Sequence, residues 1–316
     1  MATNRIRPGG VAQTTLKNSI GCRGIGLHTG VKVSLTLHPA GPDTGIVFER
    51  TDLAPEARIV LATWDRVVDT RLCTSIGNDH GAMVGTIEHL MAALAGCHLD
   101  NARIEIDGPE VPAMDGSSAP FVFLVECAGL VDLDAPRRAI EVLKPISVSD
   151  GGRVATLLPH DCFAVSCEID FDDPAVSHQA LNVSLRNGTF KSEVCRARTF
   201  GFAEDVDRLR AAGLALGGSM DNAIVIRDGL ILNEEGLRYE DEFVRHKVLD
   251  SIGDLYLAGG PILGQFRGHR TGHEMNNRVL RALFADDTAW CAVEMTLEQV
   301  GHAPAAWDVK TVAASA

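Results

Sequence analysis

The stretch VRHKVLDSIGD, residues 244–254, carries three polar side chains that could do chemistry together: His246, Asp250 and Asp254. Positions four apart fall on one face of an α-helix, so on a helix these side chains form a single polar stripe. A histidine and a carboxylate at this spacing can both ligate zinc. A solvated helix face produces the same pattern, so this segment alone leaves both interpretations open.

The segment TIEHL adds a second candidate, because Glu88 directly precedes His89. A catalytic zinc ion has three protein ligands and an open position for water, and a nearby carboxylate can take the proton that the water loses. His89, His246 and Asp250 would meet that number of ligands. The common zinc-protease signature H-E-x-x-H is missing, because Asn277 stands where its second histidine would be in GHEMNN. An ordinary helix would also account for the Glu-His pair by itself.

The composition argues against several classes of function. With 42 acidic and 29 basic residues the net charge is −13, which disfavours general attraction to nucleic acid phosphates. Eight cysteines are scattered without a Cys-x-x-Cys pair, so neither a zinc knuckle nor a thioredoxin-type site is indicated. The opening MATNRIRPGG lacks the apolar core of a secretory signal, and no apolar run approaches the roughly 20 residues that span a bilayer. We expect a cytoplasmic protein with free thiols and no integral membrane segment.

The order of predicted elements repeats once along the 316 residues. In each half, alternating strand-like segments such as VKVSLTLHPA and RVATLLP come first. A helix, a strand and a second helix then close the half, and the first of these helices is predicted at 84–98 and at 242–258. This order predicts an α+β fold of two similar domains, each a mostly antiparallel sheet with helices on one face. The two helix layers could pack against each other in a layered sandwich.

The domain boundaries follow from changes in composition. We predict a first domain over residues 1–132, which supplies the Glu-His pair, and a second over residues 137–300. The polar, proline-containing segment 131–139 is predicted to be a linker between them. The alanine-rich segment 301–316 is predicted to be a loose tail.

The second half contains an additional piece at about residues 196–233. AEDVDRLRAAG has a helical pattern, and NAIVIRDGLILN is strand-like with a hairpin signal at Asp228-Gly229. A β-α-β insertion is therefore predicted. Its apolar side chains would either cover an apolar ligand or pack the insertion on the core. These side chains are Phe200, Phe202, Val206, Leu209, Leu214 and Leu216.

Six separate stretches together resemble one enzyme family. They are GIGLHTG, TIEHLMAALAGCHLDNARIEIDGPEVPAMDGSSAPF, RARTFGF, LGGSMDNAIV, LRYEDEFVRHKVLDSIGDLYLAG and TGHEMNN, and the resemblance covers roughly residues 11–300. In order and spacing they are similar to the zinc-dependent UDP-3-O-acyl-N-acetylglucosamine deacetylases, which carry out the committed step of lipid A synthesis in Gram-negative bacteria. The resemblance implies a four-layer β-α-α-β sandwich. It also implies that the insertion in the second domain forms a hydrophobic passage for the acyl chain of the substrate.

The resemblance implies a role for each candidate residue of the metal site and its surroundings. His89, His246 and Asp250 would hold the zinc ion, and this ligand set also suits Fe²⁺. Glu88 would be the general base that activates water. His273 would stabilise the oxyanion and protonate the leaving amine.

Supporting roles are implied for residues around this centre. Asp254 would hold His273 by a hydrogen bond and favour its charged form, because a nearby carboxylate raises the pKa of a histidine. Thr199 would donate a hydrogen bond to the oxyanion, and Lys247 would reach the substrate. The acyl passage would be lined by Phe200, Val206 and Ala215.

The function implied is hydrolysis of the N-acetyl group of UDP-3-O-(3-hydroxyacyl)-N-acetylglucosamine, with release of acetate. Two alternatives are a related zinc amidase that acts on another acylated amino sugar, and a catalytically silent protein that binds a UDP-sugar or a lipid precursor. A structural zinc site usually closes with four protein ligands, often cysteines, and Cys73 could lie near the site. We expect a monomer whose partner is the UDP-linked acylated glucosamine, with no nucleic acid partner.

Overall fold

The computed structural model of the chain describes residues 6–186 and 188–300. The loose tail predicted at 301–316 lies outside the described residues. Within them the chain forms twenty strands and six α-helices, together with a 3₁₀ turn at Trp64–Arg66 and a π-helical turn at Phe190–Val194. None of the helices in these ranges combines the length and the apolar character needed to cross a membrane.

The first half of the chain contains ten strands and two helices. The strands are β1 (Ala12–Leu16), β2 (Ile20–Ile25), β3 (Lys32–Pro39), β4 (Ile46–Arg50), β5 (Ile59–Leu61), β6 (Val67–Asp69), β7 (Ser75–Gly77), β8 (Met83–Val84), β9 (Ala102–Ile106) and β10 (Leu130–Pro136). The helices are α1 (Glu88–Gly96) and α2 (Ala119–Ala128).

The second half contains ten further strands and four helices. The strands are β11 (Arg138–Val142), β12 (Ile146–Asp150), β13 (Arg153–Leu158), β14 (Phe163–Asp170), β15 (His178–Ser184), β16 (Phe200–Phe202), β17 (Ile224–Arg227), β18 (Leu230–Ile231), β19 (Ile262–His269) and β20 (Trp290–Glu294). The helices are α3 (Ala203–Ala211), α4 (Glu242–Tyr256), α5 (His273–Phe284) and α6 (Leu297–Val300).

A five-stranded sheet forms the outer layer of the first half. Its strand order is β2-β3-β9-β4-β5, and all neighbours are antiparallel except β4 and β9. In β3 the buried residues Val33, Leu35 and Leu37 alternate with more exposed ones, as expected of a strand with one face on the core. A small antiparallel sheet, β6-β7-β8, contacts β5 through β7.

A seven-stranded sheet forms the outer layer of the second half, with β19 at its centre. This strand pairs in parallel with β11 and β14 and antiparallel with β13. The remaining strands β12, β15 and β20 pair antiparallel with their neighbours. The predicted repeat is present as α1-β9-α2 in one half and α4-β19-α5 in the other. The predicted α+β fold with mostly antiparallel sheets is confirmed.

Helices α1, α2, α4 and α5 lie between the two sheets. Helix α1 packs against α4, while α2 lies beside α1 and α5 beside α4. On their outer sides, α2 contacts β2, α4 contacts β14, and α5 contacts β12 and β13. Thirteen of the fifteen residues of α4 are buried, and only Arg245 and Lys247 are partly exposed. The polar stripe on α4 is therefore inside the protein, and the alternative of a solvated helix face is wrong.

The prediction of a linker at 131–139 is wrong. Residues Leu130–Pro136 form β10, which pairs antiparallel with β1, and β11 begins two residues later at Arg138. Residues 131–135 do alternate apolar and polar side chains, but the aspartates and Pro136 favoured a linker, and most of β10 is exposed. The segment forms a strand because its backbone is hydrogen bonded to β1, which lies more than one hundred residues earlier.

The insertion has the predicted β-α-β form. Strand β16 leads into α3, β17 returns parallel to β16, and β18 pairs antiparallel with β17. The predicted hairpin turn is confirmed, because Asp228 and Gly229 both have positive φ values, 49° and 72°, as a type I′ turn requires. None of the six apolar side chains predicted to cover a ligand or the core is fully buried. Phe200 and Phe202 pack partly buried against the core, so both interpretations of these side chains stay predictions.

Candidate metal centre and active-site cleft

Gly253 allows the two central helices to approach each other closely. A Cβ atom at this position would lie 2.0 Å from the carbonyl oxygen of Glu88, so no larger residue fits without moving a helix. The contact joins α4 to the first turn of α1, where Glu88 and His89 lie. It therefore places a histidine of the first half opposite His246 and Asp250 of the second.

Three buried side chains meet at this contact. Nε2 of His246 lies 3.3 Å from Oδ1 of Asp250, and Nε2 of His89 lies 3.6 Å from the same oxygen. The candidate ligand atoms of the three residues all lie within 4.8 Å of one another. Two imidazole nitrogens and a carboxylate oxygen converging in this way are the donor set of a catalytic zinc site that keeps one position open.

Asp250 provides independent support for a cation site. Its Oδ1 is buried and accepts no hydrogen bond from the described residues, whereas Oδ2 accepts one from Nζ of Lys247 at 2.9 Å. Burial opposes ionisation of Asp250, but His246 and Lys247 hold its pKa well below the usual range. A buried carboxylate oxygen without a donor is costly. A metal ion bound between Asp250 and the two imidazoles would satisfy it.

The tautomer of His246 is set by a backbone carbonyl. Nδ1 of His246 lies 3.1 Å from the carbonyl oxygen of Ala197 and donates to it. Burial lowers the pKa of His246 to about 3, so the ring is neutral. The free lone pair is then on Nε2, the atom that faces Asp250. A residue at the start of the insertion thus leaves Nε2 of His246 available to a metal ion.

A second buried group adjoins the first and consists of Glu88, Asp254 and His273. Nδ1 of His273 lies 2.9 Å from Oδ2 of Asp254, and Nδ2 of Asn276 donates to the same oxygen at 2.8 Å. Burial lowers the pKa of His273, but Asp254, with smaller effects of Glu88 and Asp250, raises it by more, and the result is about 9. The imidazolium form of His273 is therefore the stable one near neutral pH.

Glu88 and Asp254 are joined by Thr74, which precedes β7. The backbone N–H of Thr74 donates to Oε2 of Glu88 at 2.9 Å, and its hydroxyl donates to Oδ1 of Asp254 at 2.5 Å. Burial raises the pKa of Glu88, which moves the carboxylate towards the range in which a general base works near neutral pH. The sequence analysis did not identify Thr74 or Asn276. Thr74 is 180 residues from Asp254 in the sequence and Asn276 is 22 residues from it, and no local pattern marks either contact.

Both groups open onto one cleft of about 530 Å³ between the two halves. Glu88, His89, His246, Asp250 and His273 all line it. The buried Asp254 does not line the cleft and lies behind His273. Most of the predicted centre is thus brought together at one accessible surface.

Of the predicted supporting residues, Thr199, Phe200 and Lys247 line the same cleft. The backbone of Thr199 is fixed by hydrogen bonds to Gly116 and Ile224 at 2.8 Å each. Nζ of Lys247 lies 5.6 Å from the centre of the Phe200 ring and donates a hydrogen bond to Asp250. Burial lowers the pKa of Lys247, but Asp250, with smaller effects of Asp254 and Glu88, raises it by more, so the ammonium stays charged at the edge of the candidate metal site.

The other two residues predicted for the acyl passage do not line this cleft in the described structure. Val206 is half-buried on α3, and Ala215 lies in the loop that follows this helix. That loop rests on the first half, where the N–H of Leu216 donates to the carbonyl of His28 at 3.1 Å and Gly217 donates to Leu27 at 3.0 Å. Leu27 itself lines the cleft. The insertion therefore lines the cleft through Thr199 and Phe200 and also contacts Leu27 through this loop. Its role as a passage stays a prediction.

Cys73, which sequence reasoning suggested could lie near the site, directly precedes Thr74. Its side chain is buried, and its Sγ lies 3.8 Å from Oγ of Ser75. Burial raises the pKa of the Cys73 thiol to about 12. Cys73 does not belong to any group of converging ligand atoms in the described residues, so the three-ligand set stands without Cys73.

Comparison with known proteins places the chain in a family. The family model described as LpxC: UDP-3-O-acyl N-acetylglycosamine deacetylase matches residues 13–285. The UDP-3-O-acyl-N-acetylglucosamine deacetylase of Acidithiobacillus ferrooxidans is 55% identical over 282 residues, covering 89% of this chain and 92% of that protein. The proteins of the same name from Chromohalobacter salexigens and Hahella chejuensis are 52% and 50% identical, and the alignments cover 89% and 93% of this chain and 92% and 97% of those proteins.

The match includes both halves of the fold and both buried groups of the cleft. Identity of about one half over nearly the whole chain is far above what a shared fold alone produces. The family resemblance of the six sequence stretches is confirmed. The chain belongs to the UDP-3-O-acyl N-acetylglycosamine deacetylase family.

Proposed function

We propose that the protein is a zinc-dependent amide hydrolase of lipid A biosynthesis. Its reaction would be hydrolysis of the N-acetyl group of UDP-3-O-(3-hydroxyacyl)-N-acetylglucosamine, the committed step of that pathway, with release of acetate. The observation that carries the proposal is the buried Oδ1 of Asp250, which lacks a donor and lies 3.3 Å and 3.6 Å from the Nε2 atoms of His246 and His89. The names of the relatives supply the substrate.

The donor set fits zinc. His89, His246 and Asp250 would hold the ion, and a fourth position would stay open, as in catalytic rather than structural zinc sites. Such a set also accepts Fe²⁺. Zinc bound there supplies Lewis acidity, which makes water a nucleophile near neutral pH and polarises a carbonyl group.

The two residues that move protons are proposed to be Glu88 and His273. Glu88 takes a proton from the water molecule whose oxygen forms a bond to the acetyl carbonyl carbon. The bond from this carbon to the sugar nitrogen then breaks, and His273 gives a proton to the departing nitrogen. The acetic acid formed passes its remaining proton to the amine, so the products are acetate and an ammonium group. The proton on Glu88 returns through solvent to His273, and atoms and protons balance. Burial raises the pKa of Glu88, and Asp254 overcomes burial at His273 to give a pKa of about 9, as these roles require.

Charge that develops on the acetyl oxygen would be stabilised by donors around the cleft. The hydroxyl of Thr199 and the imidazolium of His273 are suited to this, because both residues line the cleft and both are held by neighbouring groups. One such donor is worth about 10²–10³ in rate in well-studied hydrolases. Asp254 would act through His273 by fixing its orientation and its charge. Lys247 would bind the substrate at the edge of the metal site.

The substrate would be held by contacts beyond the reacting centre. The protein has a net charge of −13, so an anionic diphosphate needs local cations. Arg71 and Arg153 line the cleft together with Lys247 and could provide them. The acyl chain would extend along the insertion past Phe200, Val206 and Ala215.

We further propose that the protein acts as a monomer in the cytoplasm. All residues assigned to the site come from one chain, and the eight cysteines are free, as in a reducing compartment. Light scattering in solution and fractionation of the source cells test these two statements. A dimer at working concentration, or recovery with the periplasmic fraction, would contradict them.

Acetate release from the proposed substrate tests the activity itself. The full-length protein reconstituted with zinc should deacetylate the 3-O-acylated UDP-sugar, and it should act far more slowly on UDP-N-acetylglucosamine without the acyl chain. Equal rates on the two substrates would favour a more general amidase on acylated amino sugars. Binding of the substrate without any acetate release would instead support the silent binding protein.

A further inference from the structure

Thr74 connects three parts of the site that come from different elements. It is 99% buried, and it immediately precedes strand β7 of the small sheet in the first half. Its carbonyl accepts a hydrogen bond from the N–H of Ile87 at 3.3 Å, just before α1 begins. Its N–H donates to the Glu88 carboxylate on α1, and its hydroxyl donates to the Asp254 carboxylate on α4.

These contacts matter because two buried carboxylates lie close together here. Glu88, Asp254 and His273 present ligand atoms within 4.8 Å of one another, and like charges at such distances repel strongly in a buried site. Each carboxylate receives one donor from the same residue, so a change at Thr74 alters the geometry of both. The distance from Glu88 to Asp254 is thus fixed by one rigid, β-branched side chain and its own backbone.

In the described part of the chain, the Asp254 carboxylate accepts hydrogen bonds from three side chains, and no further side-chain donor contacts it. Oδ2 is shared by Nδ1 of His273 at 2.9 Å and Nδ2 of Asn276 at 2.8 Å, while Oδ1 is bound by the Thr74 hydroxyl at 2.5 Å. Loss of that hydroxyl leaves a buried oxygen without a partner. The carboxylate would then rotate to share its remaining donors and would carry His273 away from its present position.

We propose that Thr74 is a positioning residue of the deacetylation reaction, which sets the spacing between Glu88 and the Asp254–His273 pair. This inference rests on the proposed function of the site and adds to it a residue that touches neither substrate nor metal. Thr74 acts on turnover through the two carboxylates. It does not act on substrate binding or on metal content, because it contacts none of His89, His246 and Asp250 by a hydrogen bond.

The test compares Thr74→Val with Thr74→Ser in the zinc-loaded full-length protein. Valine keeps the shape and the backbone N–H to Glu88 but removes the donor to Asp254. We expect kcat to fall by about 10–100-fold, as for other groups that orient catalytic residues, with KM and bound zinc unchanged. Serine keeps the hydroxyl and should restore most of the activity.

Thr15→Val is the matched control. The Thr15 hydroxyl is also buried and donates to the carbonyl of Asn101 at 2.8 Å, but it lies outside the cleft. This variant should lose stability without a selective loss of kcat. A Thr74→Val protein with nearly normal kcat would overturn the proposal, as would a serine variant as slow as the valine one or a loss of zinc parallel to the loss of activity.

A second measurement separates this inference from the proposed function. In a crystal structure of Thr74→Val, the hydrogen bond between His273 and Asp254 should be displaced or broken relative to the wild-type protein. An unchanged arrangement of Glu88, Asp254 and His273 would overturn the positioning role whatever the enzyme's substrate is. Failure of the wild-type protein to release acetate would count against the proposed function only.

Discussion

The α-carbon of Gly253 lies so close to the carbonyl oxygen of Glu88 that an added Cβ would be 2.0 Å from it. This contact is the point at which the two halves of the molecule bring their central helices together. One side of the contact supplies Glu88 and His89, and the other supplies His246 and Asp250 on α4. The candidate metal centre therefore depends on the absence of a side chain at one helix position.

Substitution of Gly253 by alanine should weaken metal binding. The added methyl group must push α4 from α1, which we expect to cost about 1–3 kcal/mol in the free energy of unfolding. Displacement of His89 from His246 should lower zinc affinity by about 10-fold or more. Zinc titration and chemical denaturation measure the two effects. Gly41→Ala is the control, because a Cβ there meets no atom closer than 3.9 Å, and equal behaviour of the two variants would refute the close-contact argument.

Substitution of Glu88 by alanine should separate metal binding from turnover. Glu88 is not one of the three candidate ligands, so the variant should keep its zinc. Loss of a general base should lower kcat by about 10²–10⁴. Acetate release and metal analysis on the same preparation check this. Glu126→Ala removes an exposed carboxylate that pairs with Lys191 at 2.7 Å and should leave both quantities unchanged. Full turnover by Glu88→Ala would rule out the proposed base.

The dependence of activity on pH should be bell-shaped. Glu88 must be ionised to accept a proton, and burial raises its pKa, so activity falls as the pH drops through that raised value. His273 must be protonated to donate, and although burial lowers its pKa, Asp254 brings it to about 9, so activity falls as the pH rises through about 9. Measurement of kcat/KM against pH in the free enzyme reports these two limits.

Asp254→Asn should move only the alkaline side of that profile. The substitution removes the charge that raises the pKa of His273, so the imidazolium should lose its proton at lower pH. The variant should therefore lose more activity at about pH 8, roughly one unit below the wild-type alkaline limit, than at about pH 6, which lies well below that limit. An alkaline limit at the same pH as in the wild type would show that Asp254 does not control His273.

Removal of the metal should destabilise the folded protein. An ion that binds only the folded state stabilises it by about 2.7 kcal/mol when its free concentration is about 100 times Kd. Chelation should lower the melting temperature, and zinc should restore it. His89→Ala should abolish most of this response, whereas His178→Ala, which removes an exposed imidazole paired with Glu168 at 2.9 Å, should keep it. A wild-type melting temperature that does not change when chelator is added would contradict a zinc centre.

The insertion should control the length of acyl chain that the enzyme accepts. Val206→Trp adds bulk on the half-buried face of α3. It should reduce kcat/KM for long acyl chains relative to short ones by about 10-fold or more, because one methylene can change kcat/KM by that factor in an apolar pocket. Arg210→Trp adds the same bulk at an exposed position of this helix. Equal loss for all chain lengths in Val206→Trp would place the passage elsewhere.

Local sequence pattern determined those features whose cause lies within a few residues. The spacing of His246 and Asp250 puts both on one helix face wherever that helix lies, and Asp228-Gly229 forms its turn because few other pairs tolerate two positive φ values. The repeated order of strands and helices determined the α+β class. The six family stretches added the identity of the chain, because their combined order and spacing have a specificity that no single motif reaches.

The tertiary structure decided what those features do together. Burial of α4 between α1 and the second sheet places the polar stripe inside the protein, and the close packing at Gly253 brings His89 to it. The hydrogen bonds of Thr74 to Glu88 and Asp254 span 14 and 180 residues, so no window of sequence contains them. Strand β10 was interpreted as a linker because of its aspartates and Pro136, and its pairing with β1 joins residues more than one hundred positions apart. The geometry of the candidate site consists of long-range contacts, and such contacts leave little trace in the local sequence.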